Sequence, residues 1–209
     1  MTLSCGIFKM YKKFGKRTID LIISLLGLIL VSPILLICSL AVLLNYGSPI
    51  FFSQLRPGLR NKVFMLHKLR SMTQVKDDSG KYLPDLDRIT RVGTFLRNTS
   101  LDELPSLLNV LKGDMSLVGP RPLLVEYLPL YSKEQLRRHE VKPGITGWAQ
   151  VHGRNTISWE EKFTLDVWYI DNQSFFLDLK IIVTTIMTVL RKKDINHDDE
   201  VTMPVFKGK

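Results

Sequence analysis

Leu21 to Leu44 is a run of 24 residues without a charged side chain. As a helix it would extend about 36 Å, against roughly 30 Å of bilayer hydrocarbon. A core helix of a soluble domain is rarely so uniformly apolar over that length, so the run predicts insertion into a membrane. A cleaved signal peptide fits less well, because the stretch is too long and no small-residue cleavage pattern follows it. Ser32-Pro33 lies in the middle of the run. Proline there removes a helical hydrogen bond, and the residue before it is disfavoured from helical geometry. One reading is a kinked ordinary span. The other is a re-entrant hairpin that enters one leaflet, breaks at Ser32-Pro33 and returns to the same side.

Charge favours the hairpin. Lys9, Lys12, Lys13, Lys16 and Arg17 precede the run with no acid among the first 17 residues. Arg56, Arg60, Lys62, Lys68 and Arg70 follow it, with no acid until Asp77. Basic flanks stay in the cytoplasm, and only a hairpin keeps both there. Asp20 sits at the boundary, where Arg17 three residues earlier can pair with it.

The 209 residues fit one ordinary domain plus this appendage, and the net charge of +9 points to anionic partners. Two cysteines, Cys5 and Cys38, make no disulfide framework, and four scattered histidines show no zinc spacing. There is no GxGxxG, no P-loop and no GxSxG elbow. Aromatic and basic residues are not interleaved as on nucleic-acid platforms, so no nucleic-acid partner is expected.

Beyond the turn cluster Asn45 to Pro49, Ile50 to Phe52 and Val63 to Leu69 read as short strands around Arg56-Pro57-Gly58. Thr73 to Asp87 is polar and aperiodic and reads as a mobile loop over a site. Asp87 to Arg97 reads as a short helix. Glu126 to Glu140 is a second helical region, and Ser158 opens a helix towards Asp171. Phe175 to Lys193 is amphipathic, suited to the core or to a membrane interface.

Arg97 to Pro122, RNTSLDELPSLLNVLKGDMSLVGPRP, carries the chemistry. Ser100-x-x-Glu103 has the form of a capping box, and Gly113 is a natural helix stop. Acids at a helix start commonly serve the dipole. Here, however, Asp102 and Glu103 have Arg97 one turn before, Arg121 between two prolines after, and Lys68 and Arg154 on strand or loop ends. Phosphate chemistry needs that mix: cations to neutralise oxygens, carboxylates to hold Mg²⁺ or attack phosphorus. Adjacent helical residues point about 100° apart, which suits the two acids to different jobs.

The basic N-terminus before a run holding Ser32-Pro33, then HKLRSM (67–72), RVGTFLRNTSLDELPSLLNVLKGDMSLVGPRP (91–122) and KPGITGWAQVHGRN (142–155), resembles the small monotopic phosphoglycosyl transferases of bacteria. The resemblance covers nearly the whole chain. It departs locally at Asn61, where relatives often have glycine, and at His67, where they often have tyrosine. It implies an α+β chain in three parts. Residues 1–45 form the basic N-terminus and re-entrant hairpin. Residues 46–193 form a mainly helical cytoplasmic catalytic domain with short strands and interfacial amphipathic helices. Residues 194–209 form a loose tail.

It also implies transfer of a sugar-1-phosphate from a UDP-sugar to undecaprenyl phosphate with release of UMP, at the bacterial inner membrane. That is a first membrane step of glycoconjugate or protein N-glycan assembly, with downstream glycosyltransferases as further candidate partners. The nearest likeness is to enzymes using UDP-N,N'-diacetylbacillosamine. The family pattern makes Asp102 the nucleophile and Glu103 the aid to Mg²⁺. It maps the basic site onto Lys68, Arg97, Arg121 and Arg154, and a late acid onto Asp178. Two alternatives stand beside it: direct displacement without a covalent intermediate, and a non-catalytic membrane-bound scaffold for anionic lipid.

Overall fold

The structure, a computed structural model, describes residues 11–153, 157–191 and 205–208. One helix, α1 (Lys16–Tyr46), carries the whole apolar run and is long and apolar enough to cross a membrane. The expected division into two helices at Ser32-Pro33 is not what forms: α1 continues through Pro33. The reason is local. Pro33 has no N–H for the carbonyl of Ile29 one turn back, and Ser32 Oγ donates to that carbonyl instead, at 2.8 Å.

Asp20, Ser24, Gly27, Val31, Leu35, Cys38, Val42 and Tyr46 recur every three or four positions along α1 and are buried or half-buried. They form one stripe against the rest of the chain. The other faces expose Leu26, Ile29, Leu30, Leu36, Ile37 and Leu44. At the helix start, Arg17 and Asp20 do not pair with each other as the sequence suggests. Arg17 Nη2 donates to the carbonyl of Leu111 at 2.9 Å, at the end of another helix, where a cation also meets the negative dipole end. Asp20 Oδ1 accepts from the N–H of Leu117 at 3.2 Å. At the other end, Cys38 and Val42 pack with Leu69 and Leu96, and the Tyr46 hydroxyl donates to the carbonyl of Ser71 at 3.0 Å.

After α1, β1 (Phe51–Pro57) and β2 (Val63–Leu69) form an antiparallel hairpin that pairs Phe52 with Lys68 and Arg56 with Phe64. The segment expected to be a mobile loop is organised. Met72 bridges to Ile89 and Lys76 to Tyr82, and Asp77 Oδ1 accepts from the N–H groups of Ser79 and Lys81. Short polar side chains that fold back onto nearby backbone close such turns without periodicity. The helix α2 (Arg91–Asn98) starts at Thr90, whose hydroxyl accepts from Gly93 N. A Cβ on Gly93 would lie 2.0 Å from the carbonyl oxygen of Ser71, so only glycine lets this helix sit so close to the strand end.

A single 3₁₀ turn, Leu101–Glu103, leads into α3 (Ser106–Lys112), which Gly113 ends in the left-handed conformation, φ 96°. β3 (Ser116–Val118) pairs in parallel with β4 (Gly144–Thr146). Close to this pair, a Cβ on Gly144 would lie 2.1 Å from Gly119 N. The glycines of VGPRP and KPGITG therefore serve close backbone approach. Helices α4 (Trp148–His152), α5 (Trp159–Asn172) and α6 (Phe175–Arg191) complete the fold. The main core joins Phe64, Val110, Met115, Tyr169 and Ile181.

Of the tail expected over 194–209, residues 205–208 are described, and one of them packs against the domain. Phe206 is buried among Tyr127, Tyr131, Trp159 and Phe163.

Candidate active site

The hairpin, the 3₁₀ turn, the loop after β3 and helices α4 to α6 surround an open cleft of about 1400 Å³. Lys68, Arg97, Asp102, Glu103 and Arg121 all line it. Five residues scattered over 54 positions of sequence are thus brought to one place.

Each arrives by a different device. Strand alternation puts Lys68 on the cleft face of β2 with Leu66, opposite Phe52 and Gln54 of β1. Buried Asn109 fixes that strand's height: its amide nitrogen donates to the Met65 carbonyl at 2.7 Å and its oxygen accepts from His67 N at 3.3 Å. Ser100, at φ 56°, turns the chain sharply between α2 and the Asp102-Glu103 turn. Its side chain makes no cap, so the capping box expected with Glu103 does not form. Thr146 O accepts from Gly119 N at 2.9 Å, and Pro120 O accepts from Gly144 N at 3.0 Å. These bonds extend the β3–β4 pairing into the loop that carries Arg121.

Glu103 is fully committed. Its Oε1 accepts from Lys68 Nζ and from Arg121 Nη2, both at 2.6 Å, and Oε2 lies 3.4 Å from Arg121 Nη1. Burial alone would push this carboxyl up, but Arg121 and Lys68 override it and hold Glu103 well below the usual carboxylate range. Asp102, next in the chain, is in the opposite state. It is buried and, among the described residues, its carboxylate accepts no hydrogen bond. Desolvation and the Glu103 charge raise it to about 6, against the pull of Lys68, Arg121 and Arg97. The Arg97 guanidinium is steadied by Ser71 Oγ at 3.1 Å and Met72 Sδ at 3.0 Å.

Not every expected residue is here. Asp178 does not line the cleft. It accepts from Tyr11 and Lys16 at 2.6 Å and from the Tyr169 hydroxyl at 2.7 Å, and so ties the N-terminal segment to α5 and α6. Arg154 lies outside the described residues. Sequence reasoning missed Arg56, Lys162 and Asp166, all of which line the cleft. Arg56 stands on the same hairpin face as Lys68, which register alone would have revealed. Burial lowers Lys162 to about 8, although Asp166 opposes the shift. Their spacing of four residues on one helix was the available signal.

Among the described residues there is no cluster of three metal-ligating side chains. Mg²⁺ is held by one or two carboxylates plus water and substrate phosphate. Asp102 can supply one such carboxylate directly, and Glu103 only by giving up an ion pair.

A family profile described as "Bacterial sugar transferase" matches residues 11–192. The chain belongs to the bacterial sugar transferase family. Among similar members of that family, the "Uncharacterized sugar transferase EpsL" of Bacillus subtilis (strain 168) is 57% identical over 92% of this chain and 96% of its own length. The UDP-glucose:undecaprenyl-phosphate glucose-1-phosphate transferase of Klebsiella pneumoniae is 44% identical over 82% of this chain. The UDP-N-acetylgalactosamine-undecaprenyl-phosphate N-acetylgalactosaminephosphotransferase of Aeromonas hydrophila is 40% identical over 85% of it. This bacterial sugar transferase spans 39% and 44% of the lengths of the latter two.

Proposed function

We infer that this sugar transferase moves a sugar-1-phosphate from a UDP-sugar to undecaprenyl phosphate, through an aspartyl-phosphosugar intermediate on Asp102. The observation that carries the reading is the contrast within the acid pair. Glu103 is saturated by Lys68 and Arg121, while Asp102 lines the cleft, accepts no hydrogen bond from the described residues and is raised to about 6.

An Asp102 oxygen attacks the β-phosphorus of the UDP-sugar. The bond from that phosphorus to the bridging oxygen breaks, and UMP leaves with the bond's electrons. An oxygen of the lipid phosphate then attacks the same phosphorus. The aspartyl–phosphorus bond breaks, Asp102 is released as carboxylate and a lipid-linked diphosphate sugar results. Lys68, Arg97 and Arg121 neutralise the phosphate oxygens in both steps, and Glu103 holds two of these cations in register. Mg²⁺, held by Asp102 and by Glu103 when it yields an ion pair, would supply charge neutralisation at the diphosphate.

The lipid substrate keeps its tail in the bilayer, so the cleft must sit at a membrane surface. Both ends of α1 dock on the catalytic domain: Arg17 and Asp20 at one end, Val42 and Tyr46 at the other. A helix spanning the bilayer could not place both ends against one water-facing domain. With the basic flanks, this supports a monotopic attachment of α1 on the cytoplasmic side of the inner membrane rather than a span. The donor expected first is UDP-N,N'-diacetylbacillosamine, with UDP-glucose and UDP-N-acetylgalactosamine as competing donors. UMP release from a panel of UDP-sugars with undecaprenyl phosphate tests the reading. Release with none of them would overturn it.

A further inference from the structure

Among the described residues Arg138 is the largest side chain less than 2% exposed, and its partner Asp166 is also buried; the pair is 1% and 3% exposed. Burying two charges is costly for each ion before pairing, and an apolar pair of the same volume often serves stability as well or better. A stability role alone is therefore a weak reason for this arrangement. The geometry of the guanidinium suggests another. Its Nε and Nη2 donate to Asp166 Oδ2 at 3.2 and 2.8 Å. Its Nη1 donates to the Tyr131 hydroxyl at 3.3 Å. The same Nη2 donates to the backbone carbonyl of Arg121, at 2.8 Å.

That last bond reaches the residue that holds Glu103 and faces the cleft. The Arg121 side chain is 44% exposed and, among the described residues, its guanidinium bonds only to Glu103, so its aim depends on where its backbone is held. Beyond the Gly119 and Pro120 bonds to β4, the loop is held at residue 121 itself by Arg138. Arg138 is in turn immobilised. Its guanidinium carbon lies 5.8 Å from the Tyr131 ring centre and 5.5 Å from that of Phe163. Phe206 closes this aromatic nest, 5.7 Å from Tyr131 and 5.2 Å from Phe163. Asp166 supplies the countercharge and, through the fork of Arg138, the direction.

We propose that the buried Arg138–Asp166 pair is a positioning device for the phosphate-binding Arg121 loop, fixing the Arg121 backbone so that its side chain meets Glu103 and substrate together. Arg138 does not line the cleft, and Asp166 reaches the cleft wall with only 3% of its side chain exposed, so the role assigned to both is positioning. The inference rests on the phosphoryl-transfer reading above. Misplacing a phosphate-aligning group by about 1 Å can cost on the order of 100-fold in rate. The pair therefore acts on turnover more than on donor binding.

A double-mutant cycle tests this on the full-length membrane-bound enzyme, using UDP-sugar, undecaprenyl phosphate and UMP release. Asp166→Asn is expected to lower kcat about 10- to 100-fold, with KM for the UDP-sugar changed by less than about 3-fold. In an Arg121→Ala background, Asp166→Asn should cost no further kcat. Tyr131→Phe removes only the lateral bond to Arg138 and should give a smaller kcat loss that also vanishes with Arg121→Ala. If Asp166→Asn fails to fold, Tyr131→Phe carries the cycle alone. Losses that multiply with that of Arg121→Ala, or full kcat in Asp166→Asn, would overturn the positioning role while leaving the reaction intact. A wild-type enzyme that releases no UMP would instead remove the reaction on which it rests.

Discussion

Asp102 and Glu103 are adjacent in the chain and electrostatically opposed. Glu103 is bound by two cations at 2.6 Å and held far below the carboxylate range, while burial and the Glu103 charge raise Asp102 to about 6. One residue organises the cations and its neighbour is left to react. The sequence places the two acids side by side, and the fold makes them different by giving Lys68 and Arg121 to only one of them.

Replacing Asp102 with Asn should abolish turnover and stabilise the protein. A carboxyl whose folded pKa exceeds its unfolded value favours folding when protonated, and that advantage is lost as pH rises through the folded value. The wild type thus bears an unfavourable ionised carboxylate above about pH 6. Asp102→Asn should gain about 1–3 kcal/mol at pH 8. The gain should vanish near pH 4, which thermal melts across that range will read.

The acid limb of kcat/KM should follow Asp102. The nucleophile must be ionised, so activity should fall as pH drops through about 6 in the absence of a shift by substrate. A pH profile flat from 5 to 8 would count against Asp102 as the attacking group.

Glu103→Gln separates the two acids. It removes one cause that raises Asp102 and leaves Lys68 and Arg121 with Asp102 as their nearby acid. The acid limb should therefore move to lower pH while the rate falls, because the cations lose their register. Loss of two ion pairs at a side chain 19% exposed should lower stability by about 2 kcal/mol. Wild-type stability from Glu103 is present above the ordinary glutamate range and declines only in stronger acid, since its folded value is depressed.

Ser32 and Pro33 act together on α1. Ser32→Ala leaves the Ile29 carbonyl without its 2.8 Å donor, and Pro33→Ala restores the backbone bond that the serine replaces. Reporter tags should place both termini of the wild type in the cytoplasm. The double variant, with an ordinary apolar helix, should move its N-terminus across the membrane in part of the population. A wild-type N-terminus outside the cytoplasm would remove the monotopic arrangement.

Much of this was legible in the chain because it is periodic. The uncharged run gives α1, alternation gives the face of β2 that carries Lys68, and three- and four-residue spacing gives α5 and α6. Gly113 ends its helix as expected. What could not be read depends on partners distant in sequence. Ser100 looks like a cap beside Glu103, yet Lys68 and Arg121 claim that glutamate. Asp178 looks like a site acid, yet Tyr11, Lys16 and Tyr169 surround it. Thr73 to Asp87 has no period because Asp77 folds it through side-chain to backbone bonds. Phe206 lies in an unpromising tail and is buried only because four aromatic residues from two earlier segments leave it a place.

The most direct test is a single-turnover experiment without lipid. The enzyme is mixed with UDP-sugar labelled in the sugar, and UMP and protein-bound label are measured together. The covalent mechanism predicts a burst of about one UMP per active site, an equal amount of label on the wild-type protein, and neither with Asp102→Asn. Loss of that label on adding undecaprenyl phosphate should yield the lipid product. A wild type that turns over with lipid, yet without it gives neither burst nor label, would contradict the intermediate and establish direct displacement.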